Sequence, residues 1–376
     1  MDSIKKVAII GSTGSIGRQT LEIIRSFPER FHVAALAAGK NTILLEEQVQ
    51  EFKPRYINFQ GQKRDIGSAK YISLEDMMAL PDVDVVLMAP GGTSGLKPTL
   101  WAARAGKKIA LANKESMVMA GDIINSEIRK SGGQILPVDS EHSAIWQCLK
   151  GEKRAVAKII LTASGGPFAN YSKEQMEKVT PQQALKHPSW LMGPKVTIDS
   201  ATLLNKGLEI IEAHHLFGVD YDNIEVLVHP TSLVHSMVEY KDGTIKAQLS
   251  YPDMRFPIQY ALTFPERWPN PNLPRLDWNS ISSLPFRTPD TSLFPCLNLA
   301  RNAGRHGGTY PAVLCGAGEA AVEMFLNRLI AFTEIPTIIE QVLNEHNPVY
   351  KPDIDTIEKE AERANNRAAT IGQNKG

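Results

Sequence analysis

Short apolar runs alternate with helical patterns through the first 150 residues, and no other feature of the chain constrains its fold as much. The runs are KVAII (6–10), VAALAA (33–38), YINF (56–59), VDVVLMA (83–89), KIALA (108–112) and QILPV (134–138). Between them, RQTLEIIRSF sets Leu21, Ile24 and Phe27 at helical spacing, and LLEEQVQEF and LKPTLWAARAG carry further helical patterns. Strands separated by single helices build parallel βαβ units with helices on both faces of one sheet. A Rossmann-like domain over residues 1–150 is therefore predicted.

From about residue 151 the texture changes. KIILTAS (158–164), VLVHPTSLVHSMVEY (226–240) and TIKAQLSY (244–251) read as longer strands able to pair antiparallel. One strong helix, ATLLNKGLEIIEAHHLF, presents Ala201, Leu204, Leu208 and Ile211 as its apolar stripe. The predicted α/β organisation has four parts: an N-terminal Rossmann-like parallel sheet (1–150), an α+β catalytic domain (151–263), a proline-dense linker (264–290) and a C-terminal helical bundle (291–376). A loop at about 185–195, containing HPSWLMG, is suited to be a lid.

At 376 residues the chain exceeds one ordinary core, in keeping with several domains. Lys plus Arg number 41 and Asp plus Glu number 41, so the global basic footprint of a nucleic-acid binder is missing. No apolar run approaches the roughly 18–20 residues of a membrane helix, and MDSIKKVAII is too short in apolar length for a secretory signal. Cys148, Cys296 and Cys315 are odd in number and far apart, which argues against a disulfide scaffold and for a reducing compartment. The expected location is the cytoplasm.

Gly11-Ser12-Thr13-Gly14-Ser15-Ile16-Gly17 follows the first strand and opens a helix, the position of a dinucleotide phosphate loop. Its spacing is GxxGxxG, and a plain glycine turn is the alternative. The second strand ends in Ala38-Gly39-Lys40-Asn41, with a cation where NAD enzymes carry an acid, so NADPH is favoured over NADH. Asn113-Lys114-Glu115 follows KIALA at the ligand-binding edge, where Lys114 is either a substrate anchor or a solvated loop charge. Asp139-Ser140-Glu141 follows QILPV. If extended, it aims both carboxylates at one divalent ion; otherwise Asp139 or Ser140 caps the helix EHSAIWQCL.

Ser200, Asn205, Lys206 and Glu209 lie along DSATLLNKGLE, a set suited to a phosphate monoester with Glu209 available to a metal, or else a capped amphipathic helix. Ser164-Gly165-Gly166 ends a strand as an anion-binding or simply tight turn. His187, Trp190, Met192 and Gly193 occupy the lid segment, with buried packing of Trp190 as its alternative. Cys148 falls within an apolar helical run and is discounted as a nucleophile.

In order along residues 7–262, GSTGSIG, AGKN, LANKES, VDSEHSA, LTASGGPF, HPSW with MG, DSATLLNKGLE, HPTSLVHSMVEY and YPDMRFPIQYAL closely resemble the 1-deoxy-D-xylulose 5-phosphate reductoisomerase family. The helical C-terminus is consistent with that family. The resemblance implies NADPH contacts at Thr13, Gly14, Ser15, Ile16, Gly39, Lys40, Asn41, Asn113, Glu115 and Gly193. It implies divalent-metal ligands at Asp139, Glu141 and Glu209, with Mg²⁺, Mn²⁺ or Co²⁺ accepted. It further implies substrate and phosphate contacts at Lys114, Ser140, Glu141, Ser164, His187, Ser200, Asn205, Lys206 and Glu209. Of these, Lys114, Asp139, Glu141, Glu209 and His187 are expected to be catalytic, and a homodimer is implied.

Ala163 stands where a glycine is common in the family and Pro194 where a basic residue is common. Neither is an expected ligand. Two other classes remain open from the sequence: an NADP-dependent semialdehyde dehydrogenase and a non-catalytic NADPH-sensing module.

Overall fold

The computed structural model describes residues 4–152, 155–190 and 192–373. The chain forms two compact units. One runs up to Ser116 and adds Asp122–Ser143 and Asp253–Arg275; the other comprises Met117–Gly121, Ala144–Pro252 and the chain from Leu276 onward.

The first unit is built on seven parallel strands: β1 (Lys5–Ile10), β2 (Phe31–Ala38), β3 (Tyr56–Phe59), β4 (Lys70–Tyr71), β5 (Val85–Met88), β6 (Lys108–Leu111) and β7 (Gln134–Pro137). Their order is β4-β3-β2-β1-β5-β6-β7. Such a sheet is covered on both faces, so its strands read as unbroken apolar runs. Val7–Ile10 and Val85–Met88 are accordingly buried throughout. The chain winds outward from β1 to β4, then returns to β5 beside β1 and winds the other way. The gap past the carboxyl ends of β1 and β5 is thus the switch point at which open sheets bind ligands.

Residues 264–275 fold back onto this unit. The Trp268 ring lies 5.4 Å from both Phe27 and Phe31, and Lys5 Nζ donates to the Leu262 carbonyl at 3.0 Å. The proline-dense stretch predicted as one linker is therefore divided between the two units after Arg275.

The second unit carries a four-stranded sheet, ordered β11-β10-β8-β9, from β8 (Val156–Ala163), β9 (Ile224–Val228), β10 (Val234–Tyr240) and β11 (Ile245–Leu249). β10 pairs antiparallel with β8 and β11, as expected, but β8 and β9 run parallel. The run 226–240, read as one strand, is two. Pro230 cannot donate to a ladder, and Ser232 adopts a left-handed backbone (φ 51°), so HPTSL turns the chain.

The predicted helix from Ala201 is also interrupted. One helix spans Pro194–Ala201 and another Leu204–Phe217, with Leu203 in the left-handed region at φ 58° between them. Ser200 consequently sits in the last turn of the earlier helix rather than at the start of the later one. Helices Cys296–His306, Tyr310–Leu326, Glu334–Glu345 and Ile354–Gln373 make up the C-terminal part. Among the described residues no helix is long and apolar enough to cross a membrane.

Candidate active site

In the first unit the loop after β1 is shaped by what its glycines permit. Gly11 has φ 87°, and a Cβ there would lie 2.5 Å from the Ala89 carbonyl oxygen beyond β5. A Cβ on Gly17 would lie 2.3 Å from the Gly11 carbonyl, so the helix Ser15–Ser26 approaches the strand only because none is present. That helix starts at Gly14 with no capping side chain. Thr13, Ser15 and Ile16 are half-buried on this turn, and Gly39 and Lys40 are exposed after β2. Asn41 caps the next helix, its side chain accepting the Leu44 amide at 3.2 Å.

Asn113 follows β6 and is buried. Its Nδ2 donates to the carbonyls of Pro90 (3.0 Å) and Gly92 (2.8 Å) and to Glu115 Oε2 (3.1 Å), while Oδ1 accepts the Ser116 amide. The side chain thus ties together the segments beyond β5 and β6, a structural duty that its residue type alone did not reveal. Lys114 opens the following helix, and its Nζ is 2.6 Å from Asp139 Oδ2.

The backbone of Asp139, Ser140 and Glu141 is not extended as expected from the sequence, yet a carboxylate oxygen of Asp139 and one of Glu141 lie within 4.8 Å of each other, close enough to share one ion. Helix Ser140–Cys148 begins immediately after Asp139, whose carbonyl accepts the Ser143 amide at 2.8 Å and whose Oδ1 accepts the Ser140 amide at 3.0 Å. Asp139 thus satisfies a free amide at the start of this helix while its other carboxylate oxygen stays on Lys114. Burial opposes ionisation of Asp139, but Lys114 and the His142 ring, 3.7 Å away, outweigh it and hold the carboxyl well below its ordinary range. Glu141 lies in the first helical turn, where Ser140 Oγ donates to it at 2.6 Å. At the end of this helix, burial pushes the Cys148 thiol up to about 11, which opposes formation of a thiolate.

In the second unit the serine-glycine turn after β8 meets the lid segment. Ser164 Oγ is 3.0 Å from His187 Nε2, and the same nitrogen is 3.2 Å from Ser200 Oγ. The Gly166 amide donates to Ser164 Oγ at 3.2 Å. His187 Nδ1 accepts the backbone amides of Ser189 (3.2 Å) and Trp190 (2.9 Å). Because Nδ1 accepts, the neutral ring carries its proton on Nε2 and donates it toward the two hydroxyls. Burial lowers the His187 pKa from 6.5 to about 4, so this neutral form holds at physiological pH.

The first turn of helix Leu204–Phe217 places Asn205 and Lys206 against Glu209, each donating to one of its carboxylate oxygens. Lys206 and Glu209 are both buried. Gly193 begins helix Pro194–Ala201, Met192 is half-buried, and Leu191 of the lid lies outside the described residues.

Sequence reasoning passed over two histidines at these polar groups. His142 is wholly buried beside Asp139, and its only sequence signal was that adjacency. His235 on β10 packs edge-on against Trp190 at 5.8 Å and is lowered to about 4, chiefly by burial. Nothing in the pattern HPTSLVHS distinguished it from a core residue.

Family models match three successive stretches: 1-deoxy-D-xylulose 5-phosphate reductoisomerase over residues 7–121, its C-terminal domain over 135–217, and the DXP reductoisomerase C-terminal domain over 249–367. The chain belongs to the 1-deoxy-D-xylulose 5-phosphate reductoisomerase family. Members from Desulforamulus reducens and Moorella thermoacetica are 51% and 50% identical to it; the matches cover 94% and 98% of this chain and 95% and 98% of theirs. Among solved structures, a reductoisomerase in complex with NADPH, fosmidomycin and magnesium is 38% identical with a TM-score of 0.91, covering 99% of this chain and 98% of the other. The reductoisomerase of Zymomonas mobilis in complex with NADPH is 39% identical, also with a TM-score of 0.91, covering 99% and 100%. The resemblance drawn from the motifs and the α/β fold class are thereby borne out.

Proposed function

We infer that this chain is an NADP-dependent oxidoreductase that isomerises and reduces 1-deoxy-D-xylulose 5-phosphate to 2-C-methyl-D-erythritol 4-phosphate, in non-mevalonate isoprenoid biosynthesis, with NADPH and a divalent metal. One observation carries this reading beyond family membership. The unit that bears the dinucleotide loop also holds an ionised carboxylate, Asp139, beside Lys114, with Glu141 one helical step away. A simple semialdehyde dehydrogenase would leave that carboxylate pair idle, and so would a sensing module.

The donor sets fit both groups. Gly11 and Gly17 leave open the close approach a pyrophosphate needs, and Lys40 complements a 2′-phosphate. Thr13, Gly14, Ser15, Ile16, Gly39, Asn41, Asn113, Glu115 and Gly193 complete the proposed NADPH contacts, and the cofactor supplies the hydride. Asp139, Glu141 and Glu209 offer only hard oxygen donors, the chemistry Mg²⁺, Mn²⁺ and Co²⁺ accept. A dication held there supplies Lewis-acid stabilisation of charge developing on neighbouring substrate oxygens.

The chain's own residues bind and orient the substrate. Lys114 and Ser140 hold oxygens at the reacting end. His187 donates Nε2–H to the phosphate, joined by Ser164, Ser200, Asn205 and Lys206, and this remote clamp provides binding energy for positioning the reacting carbons. Trp190 and Met192 lie on the lid that excludes water. Since His187 accepts the Ser189 and Trp190 amides, the residue that holds phosphate also fixes the base of the lid.

We further place the protein in the cytoplasm as a homodimer acting on a sugar phosphate. Cys148, Cys296 and Cys315, all buried and none in a disulfide, suit a reducing compartment. β11 is a sheet edge with Ile245 53% exposed, a surface a second copy would cover. The proposed division of labour puts NADPH binding, Lys114, Asp139, Ser140 and Glu141 on the first unit and the phosphate contacts, Glu209, the lid and the C-terminal helices on the second, with the proline-dense stretch 264–290 divided between them after Arg275.

The direct test is NADPH oxidation with 1-deoxy-D-xylulose 5-phosphate, followed optically with Mg²⁺ present and again after chelation. Turnover lost to the chelator and restored by metal is expected. NADPH binding without oxidation, with each of the three metals tried, would sink the reading.

A further inference from the structure

Pro285–Arg287 crosses the end of the second unit's sheet as a strap. Val228, the last residue of β9, exchanges both backbone hydrogen bonds with Arg287, at 2.7 and 3.0 Å. On its other side Val228 pairs with Ala163, the last residue of β8. Ala163, Val228 and Arg287 therefore lie side by side, directly before the turn Ser164–Gly166.

The strap is fastened again one residue later. The Thr231 hydroxyl donates to His229 Nε2 at 2.9 Å, which leaves the ring proton on Nδ1, and Nδ1–H donates to the Pro285 carbonyl at 2.8 Å. The His229 ring stacks on Phe286, with centroids 4.6 Å apart and planes 19° from parallel. Ser189, at the base of the lid, donates its hydroxyl to the Pro230 carbonyl at 3.3 Å.

Arg287 then reaches past the sheet. Its guanidinium donates to Asn170 Oδ1 at 2.8 Å and to the Ala169 carbonyl at 3.1 Å, closing the loop that follows the serine-glycine turn. Gly165 has φ 84°, and a Cβ there would lie 2.8 Å from Val228, 3.0 Å from Ala169 and 3.9 Å from the guanidinium. Gly166, at φ 66°, abuts Ser200 and Ala201 on the opposite side. Two consecutive left-handed glycines make an intrinsically loose turn, so its shape is set by these walls.

We propose that Arg287 is a positioning residue for the phosphate site: by latching Ala169 and Asn170 to the strap it holds the Ser164–Gly166 turn in its anion-binding shape. The inference rests on the reading that this turn receives the substrate phosphate. Both Nη atoms are engaged by the loop, so Arg287 acts through the turn and through its field rather than by direct contact. The latch is solvent-exposed, which keeps its effect moderate.

The test uses the full-length enzyme and measures kcat, KM for the sugar phosphate, Ki for inorganic phosphate, NADPH affinity and Tm. Arg287→Ala is expected to raise KM and the phosphate Ki together by about fivefold to tenfold, with kcat and NADPH affinity within about twofold of the parent. Arg287→Lys, keeping the charge and one donor, recovers part of the loss. Asn170→Ala gives a smaller effect that is not additive with Arg287→Ala. If Arg287→Ala does not fold, the latter two variants carry the test.

Unchanged KM and Ki overturn the proposal, and so does a drop in Tm and kcat with KM intact, which would make the strap scaffold only. Ser164→Ala separates the two levels. If it raises KM and Ki while Arg287→Ala raises neither, the phosphate reading stands and the inference falls. If Ser164→Ala also changes neither, the phosphate reading itself has failed.

Discussion

His187 offers the sharpest perturbation, because its two nitrogens have separate duties that two substitutions divide. Asparagine can present its carbonyl oxygen near the Nδ1 position, keeping the acceptor for Ser189 and Trp190 while removing the Nε2–H donor. Glutamine reaches the Nε2 position but abandons the two amides. A hydrogen bond to a charged group contributes about 1.5–3 kcal/mol, so His187→Asn should lower kcat/KM by roughly tenfold to a hundredfold, mainly through KM. His187→Gln should instead weaken the base of the lid.

The pH dependence separates neutral from cationic binding. Burial holds the folded pKa near 4 against the ordinary 6.5, so the ring enters the assay range neutral. The ratio of wild-type to His187→Asn kcat/KM should stay flat from pH 8 to 6, the phosphate's own titration cancelling between them. A ratio that climbs as pH falls through 6.5 would mean that imidazolium binds phosphate, and would refute the tautomer argument. The stability consequence has a fixed sign. A depressed histidine pKa means the unfolded chain takes up the proton first, so stability is fully present above 6.5 and is lost as pH falls toward 4. The loss is at most about 3 kcal/mol, reduced by the partial exposure of the ring.

Other outcomes follow from the same geometry. Asp139→Asn and Glu209→Gln should each cut turnover by at least about a hundredfold while leaving NADPH binding, read by fluorescence, largely intact; unchanged activity in both would remove the metal-site assignment. Asp139 also contributes stability that is present above the ordinary carboxyl range and lost as pH falls through its lowered folded value, so acid-unfolding curves of wild type and Asp139→Asn should converge at low pH. Lys40→Ala should weaken NADPH by about tenfold and NADH hardly at all; equal losses would contradict the 2′-phosphate reading. Gly11→Ala combines a positive φ with a Cβ 2.5 Å from the Ala89 carbonyl, and should cost about 1–3 kcal/mol in chemical denaturation together with NADPH affinity.

The parallel sheet was legible because doubly covered strands must be apolar on both faces, leaving runs such as KVAII and VVLM that resist any other reading. β4, a Lys-Tyr pair at the sheet edge, left no such trace. Tertiary choices were harder to see. Leu203 at φ 58° breaks a run with unbroken helical periodicity, since no residue type there announces a left-handed turn. The pairing of β8 with β9 depends on which strands meet rather than on what either contains. In each unit, residue types marked the candidates Asp139, Glu141, His187 and Glu209, but the helix beginning at Ser140 and the amides on His187 Nδ1 are relations between distant or unpatterned groups. The same holds for Arg287, which looks like a linker residue until Val228 and Asn170 stand beside it.

This chain moves a carbon–carbon bond as well as a hydride. NMR analysis of the product formed from carbon-labelled 1-deoxy-D-xylulose 5-phosphate, NADPH and Mg²⁺ tests it most directly. The expected product has the branched skeleton of 2-C-methyl-D-erythritol 4-phosphate, with the label on the migrated carbon. A linear reduced polyol phosphate, with the carbon connectivity of the substrate intact, would contradict it and reduce the chain to a dehydrogenase.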